Sequence, residues 1–459
     1  MAVSVIRGLP PKLMGRTIAT DVGSNWSGKN YNRKPTGMLC IQGDIYLAFQ
    51  NLSLNFVDTP AASIAKSTDH GRTWTWDKAT PMFGTPEQPE SPLAYKFTTI
   101  FFLDYGKDSR KAIDGYVYAY GLDRNWRSQQ DLYLARVPNK KIQTRSAWEF
   151  FVGIDEAGDP KWSREITQKT AVLTDERLLY MKMLDGNAKS CEDSYKPIGQ
   201  GGVVYDAPLK RYIFASWSCT THEFYEAPHP WGPWRHFLST DFGALKTPKN
   251  YGQYGTSIPS KFISADGRTL YLQSNVWGHS YTFALRKLFL EPYSPASPSN
   301  GSSAENLALA PGTRAISKST HYGLLCGLDC ADQLAAGMPD GSEDDFDKEL
   351  KTTDWWGYTW PLPYHINQVV YRTGSVSADG GWFAGEPRVQ VRQHFEWKNV
   401  DGITITPAYR SSEKAGSHAT YTFHLPDDSW GDGVRIIGTP GGRSHFTSIS
   451  QLAVYYLKR

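Results

Sequence analysis

The feature that most constrains this chain is a rhythm of short, aromatic-rich apolar runs broken by turn-forming residues. Pro35–Ile41 and Ile45–Gln50 read as a hairpin turning at Gly43-Asp44, followed by strands at Ala62–Ser67 and Thr73–Asp77. The same four-strand beat recurs at Phe97–Asp104, Tyr116–Gly121, Asp131–Val137 and Trp148–Val152. It returns at Gly202–Tyr205, Arg211–Trp217, Phe224–Ala227 and Trp234–Leu238, and a last set covers Ser260–Ser264, Thr269–Ser274 and Thr282–Leu290. Repeated four-stranded meanders are the pattern of β-propeller blades, and at roughly 55–60 residues per blade the first part holds five. A pair of β-sandwiches is the plainer alternative.

Composition supports an all-β class. Of 459 residues, 41 are Gly and 28 Pro, and aromatics reach 14%. Aromatic rings fill β cores, but they also stack on the apolar C–H faces of sugars. The net charge of +3 offers no polyanion-binding signal, so a nucleic-acid partner is disfavoured. No apolar run is long enough for a membrane-spanning helix. Gly-rich phosphate loops, HExxH and GxSxG are all missing.

Met1 to Gly15 lacks the apolar stretch of a signal peptide. Sequons at Asn25, Asn51 and Asn300 and five cysteines suggest an extracellular (secreted) chain whose signal peptide is not part of this sequence, with a native cytosolic start as the alternative. Cys191 can pair with Cys219, and Cys326 with Cys330 across a small loop. Cys40 reads as a buried free thiol. The low-complexity run at 294–303 reads as a linker between a propeller over 1–293 and a second domain over 304–459.

Ser67-Thr68-Asp69-His70-Gly71-Arg72-Thr73-Trp74 fits the S-x-D-x-G-x-T-W pattern of an Asp-box. Its Asp accepts backbone hydrogen bonds across a tight turn, and its Gly supplies the turn conformation. This motif resembles the turn between the third and fourth strands of sialidase-like propeller blades, where its role is structural. Ser239–Gly243 is a degenerate copy, and Ser264–Arg268 is a plain turn.

The stretches Asp131–Ser163, Val203–Ser218, Glu226–Trp234 and Ile258–Leu272 resemble a group of five-bladed propeller proteins long catalogued as a domain of unknown function. Some members of that wider group cleave polysaccharides, and its architecture is related to arabinanase and xylosidase propellers. The second part resembles a discoidin, or coagulation-factor type C, domain. The matching features are the Asn306-Leu307-Ala308 start, the Asp340-Gly341 turn, the strand within His365–Thr373, Trp397, and the closing Val434–Gly438 and Phe446–Tyr455. That resemblance implies an eight-stranded jelly-roll sandwich, commonly a carbohydrate-binding or adhesion module.

On the propeller reading, ligands meet the loops that precede each inner strand or join its second and third strands. Two such loops mix carboxylates, amides, cations and Trp, the groups that bond sugar hydroxyls and stack on sugar rings. The first carries Asp21, Asn25, Trp26, Lys29, Tyr31, Arg33 and Lys34; the second carries Asp123, Arg124, Asn125, Trp126 and Arg127. Equivalent loops hold Trp217, His222 and Glu223, and then Trp277 and His279. Glycoside hydrolysis needs two carboxyl groups. Asp21 is the candidate base, Asp123 a positioning or pKa-tuning group, and Glu165 or Glu223 the acid. Asp69 and Asp266 are set aside as turn residues.

A polysaccharide lyase is the rival. It needs a His or Tyr base and cations that neutralise a uronate, which His222, His279, Tyr31, Arg33, Lys34, Arg124 and Arg127 supply. A non-catalytic carbohydrate-binding propeller predicts repeated pockets, whereas these four loops differ. The expected partner is a polysaccharide or oligosaccharide. No cofactor is expected beyond a possible structural Ca²⁺.

Overall fold

The computed structural model is nearly all β. It describes residues 1–459 except 2, 10, 11, 113, 126–128, 182–195, 219, 220, 241–254, 277–281, 292–297, 299–304, 312, 323–330, 339, 340, 347–349, 395, 458 and 459. The chain forms two compact units, Met1–Glu176 with Tyr195–Pro292, and Arg177–Ser194 with Tyr293–Arg459.

In the first unit, β1 (Val3–Leu9) pairs with β2 (Lys12–Ala19). A three-stranded meander follows, of β3 (Tyr31–Ile41), β4 (Asp44–Ser53) and β5 (Ala61–Ser67). Gln42 and Gly43 both take positive φ, which suits the tight turn that reverses β3 into β4. Next come β6 (Thr99–Asp104), β7 (Tyr116–Leu122), β8 (Asp131–Pro138), β9 (Glu149–Ile154), β10 (Pro160–Ser163) and β11 (Ala171–Thr174). The short β12 (Leu178–Met181) belongs to the second unit. A further meander of β13 (Gly202–Asp206), β14 (Arg211–Ser218), β15 (Thr221–Ala227) and β16 (Arg235–Thr240) precedes the hairpin of β17 (Thr269–Val276) and β18 (Thr282–Phe289).

The two longer meanders join into one ten-stranded sheet that curls as a half-barrel. The seam is parallel: Val203 pairs with Leu103 and Val204 with Asp104, so β6 and β13 run side by side in one direction. Strands β4, β6 and β7 are buried along nearly their whole length, without polar alternation, because both faces are covered. β3 packs so closely on β6 that a Cβ at Gly37 would lie 2.8 Å from Phe101 Cα. Phe101 stacks on Phe214 at 5.8 Å between centroids, and Phe214 on Tyr225 at 5.6 Å. A second cluster sets Phe83 and Phe97 against Trp148 and Phe150.

The Asp-box closes the first meander. Asp69 accepts hydrogen bonds from the Arg72 and Thr73 amides and the Thr73 hydroxyl, at 3.0, 2.8 and 2.7 Å. Gly71 sits at φ 85°, and Trp74 Nε1 donates back to its carbonyl. The expected strand at Thr73–Asp77 is reduced to one bridge, Lys66 with Thr75. The expected strand at Ser260–Ser264 is instead a 3₁₀ turn, Ser260–Phe262. Pro259 lacks an amide to donate to a ladder, and the Ser260 amide is taken by Asp104 Oδ2 at 2.9 Å.

Cys40 is exposed, not buried. Leu39 and Ile41 take the core side of β3, so alternation turns Cys40 outward. Partial desolvation and the hydrogen bond to Asp108 push its thiol up to about 11. The amide of Asn51 is fully buried and bonded to Trp26 and Ser27, so this sequon is part of the core. Cys191, Cys219, Cys326, Cys330, Asp340 and the core of the degenerate Asp-box lie outside the described residues.

The second unit is sandwich-like. One sheet has the order Arg314–Ser317, Asp354–His365, Trp430–Gly438, Arg388–Gln393, Glu396–Asn399. The other runs Thr404–Thr406, Thr420–His424, Gln368–Arg372, Gln451–Tyr455. Trp356, Tyr358, Val434 and Ile436 from the first share a core with Val369, Phe423 and Val454 from the second. Tyr358 buries its ring and donates its hydroxyl to the Leu452 carbonyl at 2.8 Å.

The hydrogen bonds to Asp69 hold its carboxyl well below the usual carboxylate range. Such a group adds stability that is full above its unfolded pKa of about 3.9 and is lost as pH falls. Asp69→Ala should therefore lower the melting temperature at neutral pH, and the gap to the parent should close in acid. Melting curves across pH check this.

Candidate active-site face of the first unit

The pairing registers place one set of loops together. Tyr31 pairs with Ser53, Thr99 with Leu122, Gly121 with Tyr133, and Ser218 with Thr221. The loops that start β3 and β6 and that end β4, β7 and β14 thus share the same end of their sheets. Asn125 ties two of them: its amide N–H donates to the Val57 carbonyl, and its Nδ2 to the Phe56 carbonyl. Its Oδ1 accepts from Gln50, whose own Oε1 accepts from Thr99 at 2.6 Å. This chain is buried, so Asn125 braces the loops from beneath.

In the first loop, Asp21 sits on an exposed turn at φ 58° and pairs with Arg33 at 2.7 Å. That guanidinium holds the Asp21 carboxyl below its ordinary value. Arg33 also donates to the Gly23 carbonyl. Asn25 staples the loop by donating to the Gly28 and Tyr31 carbonyls. Trp26 stacks on Phe49 at 5.6 Å and donates to the Lys78 carbonyl, so one ring face belongs to the core. Burial, then Tyr95 and Asp58, raise the Tyr31 phenol. Arg124 reaches Asp58 at 3.4 Å and lies over the Tyr95 ring.

Asp123 is the best-organised carboxylate of these loops. Its Oδ1 accepts from the Phe97 amide at 2.9 Å, and its Oδ2 from Lys96 at 3.1 Å and Lys169 at 2.9 Å. Lys169 is nearly inaccessible and sits 3.2 Å from the centroid of the Tyr133 ring. Burial pulls the Lys169 ammonium below its ordinary value against the opposing pull of Asp123. Neither lysine carries a sequence signal. Both arrive from loops remote from Asp123 in the chain.

A second polar group lies on β15. Glu223 is fully buried; its Oε2 meets His236 Nε2 at 2.8 Å and its Oε1 accepts from Ser239. Two residues on, and so on the same sheet face, Tyr225 donates its hydroxyl to Asp175 Oδ2 at 2.8 Å. Asp175 is itself buried and donates its amide to the Gln130 carbonyl. Its neighbour Thr174 bonds Asp131 at 2.7 Å, which links this group to the loop bearing Asp123. Asp175 has no local sequence signature; only the β8–β11 pairing brings it here.

Trp217 and His222 form a cross-strand pair and are both buried. Glu165 is exposed at the start of a 3₁₀ turn, with its charge felt by Arg145. Trp126, Arg127, Trp277 and His279 lie outside the described residues. Among the described residues, no group of three or more His, Cys, Asp or Glu is set to hold a metal ion, and no helix is long and apolar enough to cross a membrane.

The sequence pattern of a family described as a domain of unknown function, DUF4185, matches residues 10–287. No curated protein sequence matches the chain. Among solved structures, a candidate hydrolase from Bacteroides ovatus is 14% identical over 57% of this chain, with a TM-score of 0.34. The match spans 62% of that protein, less than two thirds of its length. An exo-β-1,3-galactanase from Phanerochaete chrysosporium is 10% identical, covering 99% of this chain and 89% of its own, at TM-score 0.33. The family 32 CBM of NanJ from Clostridium perfringens, solved with galactose, is 11% identical over 31% of this chain and 92% of its own, at TM-score 0.24. Likenesses this loose decide nothing about the site.

Lys169→Met should strip Asp123 of the more buried of its two lysines. A loss of about 1–3 kcal/mol in unfolding free energy is expected, since Lys96 and the Phe97 amide remain. Urea unfolding of the two proteins measures it.

Proposed function

The chain belongs to the DUF4185 family, and we propose that it is a carbohydrate-active enzyme that cleaves glycosidic bonds of a polysaccharide by hydrolysis. The observation that carries this reading is the pair of buried carboxylates, Glu223 and Asp175, the latter bonded to Tyr225 on the face that also bears Glu223. Hydrolysis needs one carboxyl group to protonate the leaving oxygen and a second to activate water or attack the anomeric carbon. We assign those two roles to this pair. Asp123 with Lys96 then holds polar groups of the sugar, Lys169 braces that carboxylate from within, and Asp21 and Arg33 lie at the rim.

The same proposal takes the first unit as a five-bladed propeller. The meanders β6–β9 and β13–β16 support two four-stranded blades of that count. The meander β3–β5 closed by an Asp-box supports the first, and the β17–β18 hairpin supports the last. We read the second unit as a discoidin-like jelly roll that helps dock substrate, and the setting as extracellular.

One observation favours a second reading. The Lys96 ammonium at Asp123, which is partly exposed, would help neutralise a uronate carboxylate, the requirement of a lyase. The two chemistries separate in one experiment with neutral and uronate-containing glycans. Hydrolysis yields new reducing ends without the ultraviolet band of unsaturated uronates; elimination yields both. Glu223→Gln and Asp175→Asn should each lower kcat/KM by about 10²–10⁴-fold while each variant keeps a cooperative melting transition. Full activity in both variants would remove the assignment.

A further inference from the structure

The second unit carries a charged aromatic surface that no sequence motif announces. In its five-stranded sheet, Trp356, Tyr358, Val389, Val391, Val434 and Ile436 face the core. Alternation and register turn Trp355, Arg388, Gln390, Arg392, Trp397 and Arg435 to the opposite face. Arg314 and Lys318 join that face through their pairing beside Thr359 and Trp355. Every charged side chain at these outward positions is cationic.

Arg435 is the centre. Its guanidinium lies 4.8 Å from the Trp355 ring centroid and 4.5 Å from that of Trp397, between two indoles. Lys318 stacks on Trp355 as well, at 4.7 Å. Arg435 Nε donates to Gln390 Oε1 at 2.8 Å, and Gln390 donates on to Asn399 Oδ1 at 2.9 Å. Gly433 leaves the room that Trp397 uses, since a Cβ there would lie 3.1 Å from the indole. Asp432 neutralises Arg392 at 2.6 Å. Among the described residues Arg435 has no such carboxylate, and burial alone holds its guanidinium down to about 10. A desolvated cation without an anion is costly, and a ligand anion relieves that cost. Both indoles and the Arg435 side chain remain partly exposed, and Arg388 and Asn399 are exposed beside them.

We propose that the outer face of this five-stranded sheet is a docking site for an acidic polysaccharide, whose sugar carboxylate meets Arg435 between Trp355 and Trp397. The polymer fits on two counts. Its C–H faces suit indole edges, and its repeated carboxylates suit a row of cations spread over several strands. A neutral glycan would leave Arg435 uncompensated. The face belongs wholly to the second unit.

Affinity electrophoresis of the full chain tests this, with polygalacturonate or alginate cast into native gels and methyl-esterified polygalacturonate as the neutral match. The acidic polymers should retard the protein, less so as salt rises. Arg435→Gln and the exposed Arg388→Glu should each weaken retardation at least about fivefold without moving the melting temperature. Turnover of short oligosaccharides should be unchanged. Retardation by neither acidic polymer, equal retardation by the esterified one, or wild-type behaviour of Arg388→Glu would each overturn the proposal. So would equal retardation by duplex DNA with the same loss in both variants, which would mark a generic polyanion surface.

Discussion

The parallel seam between β6 and β13 is the contact on which the first unit depends. It has only two paired registers, so its strength comes from what seals it. Phe101 stacked on Phe214, and Phe214 on Tyr225, remove three large rings from water across the junction. Because the first strands of both meanders run the same way, their loop ends fall together. The seam therefore brings the loops around Asp123 and the face of β15 into one neighbourhood.

The candidate site is built by spending part of that apolar stability on polar groups. Asp123, Lys169, Asp175 and Glu223 are largely out of water, where an unpaired charge is expensive. Each is matched: Asp123 by two ammonium groups and an amide, Asp175 by a tyrosine, Glu223 by a histidine and a serine. Polar networks this well satisfied hold side chains in one geometry, which is what a reaction or a specific sugar requires. The second unit differs in that Arg435 is matched by aromatic faces and an amide and not by a carboxylate.

Much of the fold was legible because strand formation is local. Period-two alternation and turn residues marked most strands to within a few positions, and the Asp-box was readable because its whole hydrogen-bond set lies within Ser67–Trp74. Where tertiary demands competed, local pattern misled. The Ser260 amide went to Asp104, far away in the chain, and the expected strand became a turn. Cys40 lies in an apolar run yet faces outward, since its two neighbours claim the core.

The sequence by itself determined the all-β class, the loops rich in Asp, Asn and Trp, and the structural nature of Asp69, because each depends on residues close together in the chain. Only the tertiary structure decided which of those groups act together. Asn125 turned out to brace two loops, and Trp26 to pack on Phe49, although both looked like ligand contacts. Lys169 and Asp175 had no signal at all, because strand pairing across long loops carries them to their partners. The net charge of +3 gave no hint of a cationic face either. Whole-chain charge averages over all directions, while a sheet sorts its side chains onto two sides and concentrates Arg388, Arg392 and Arg435 on one.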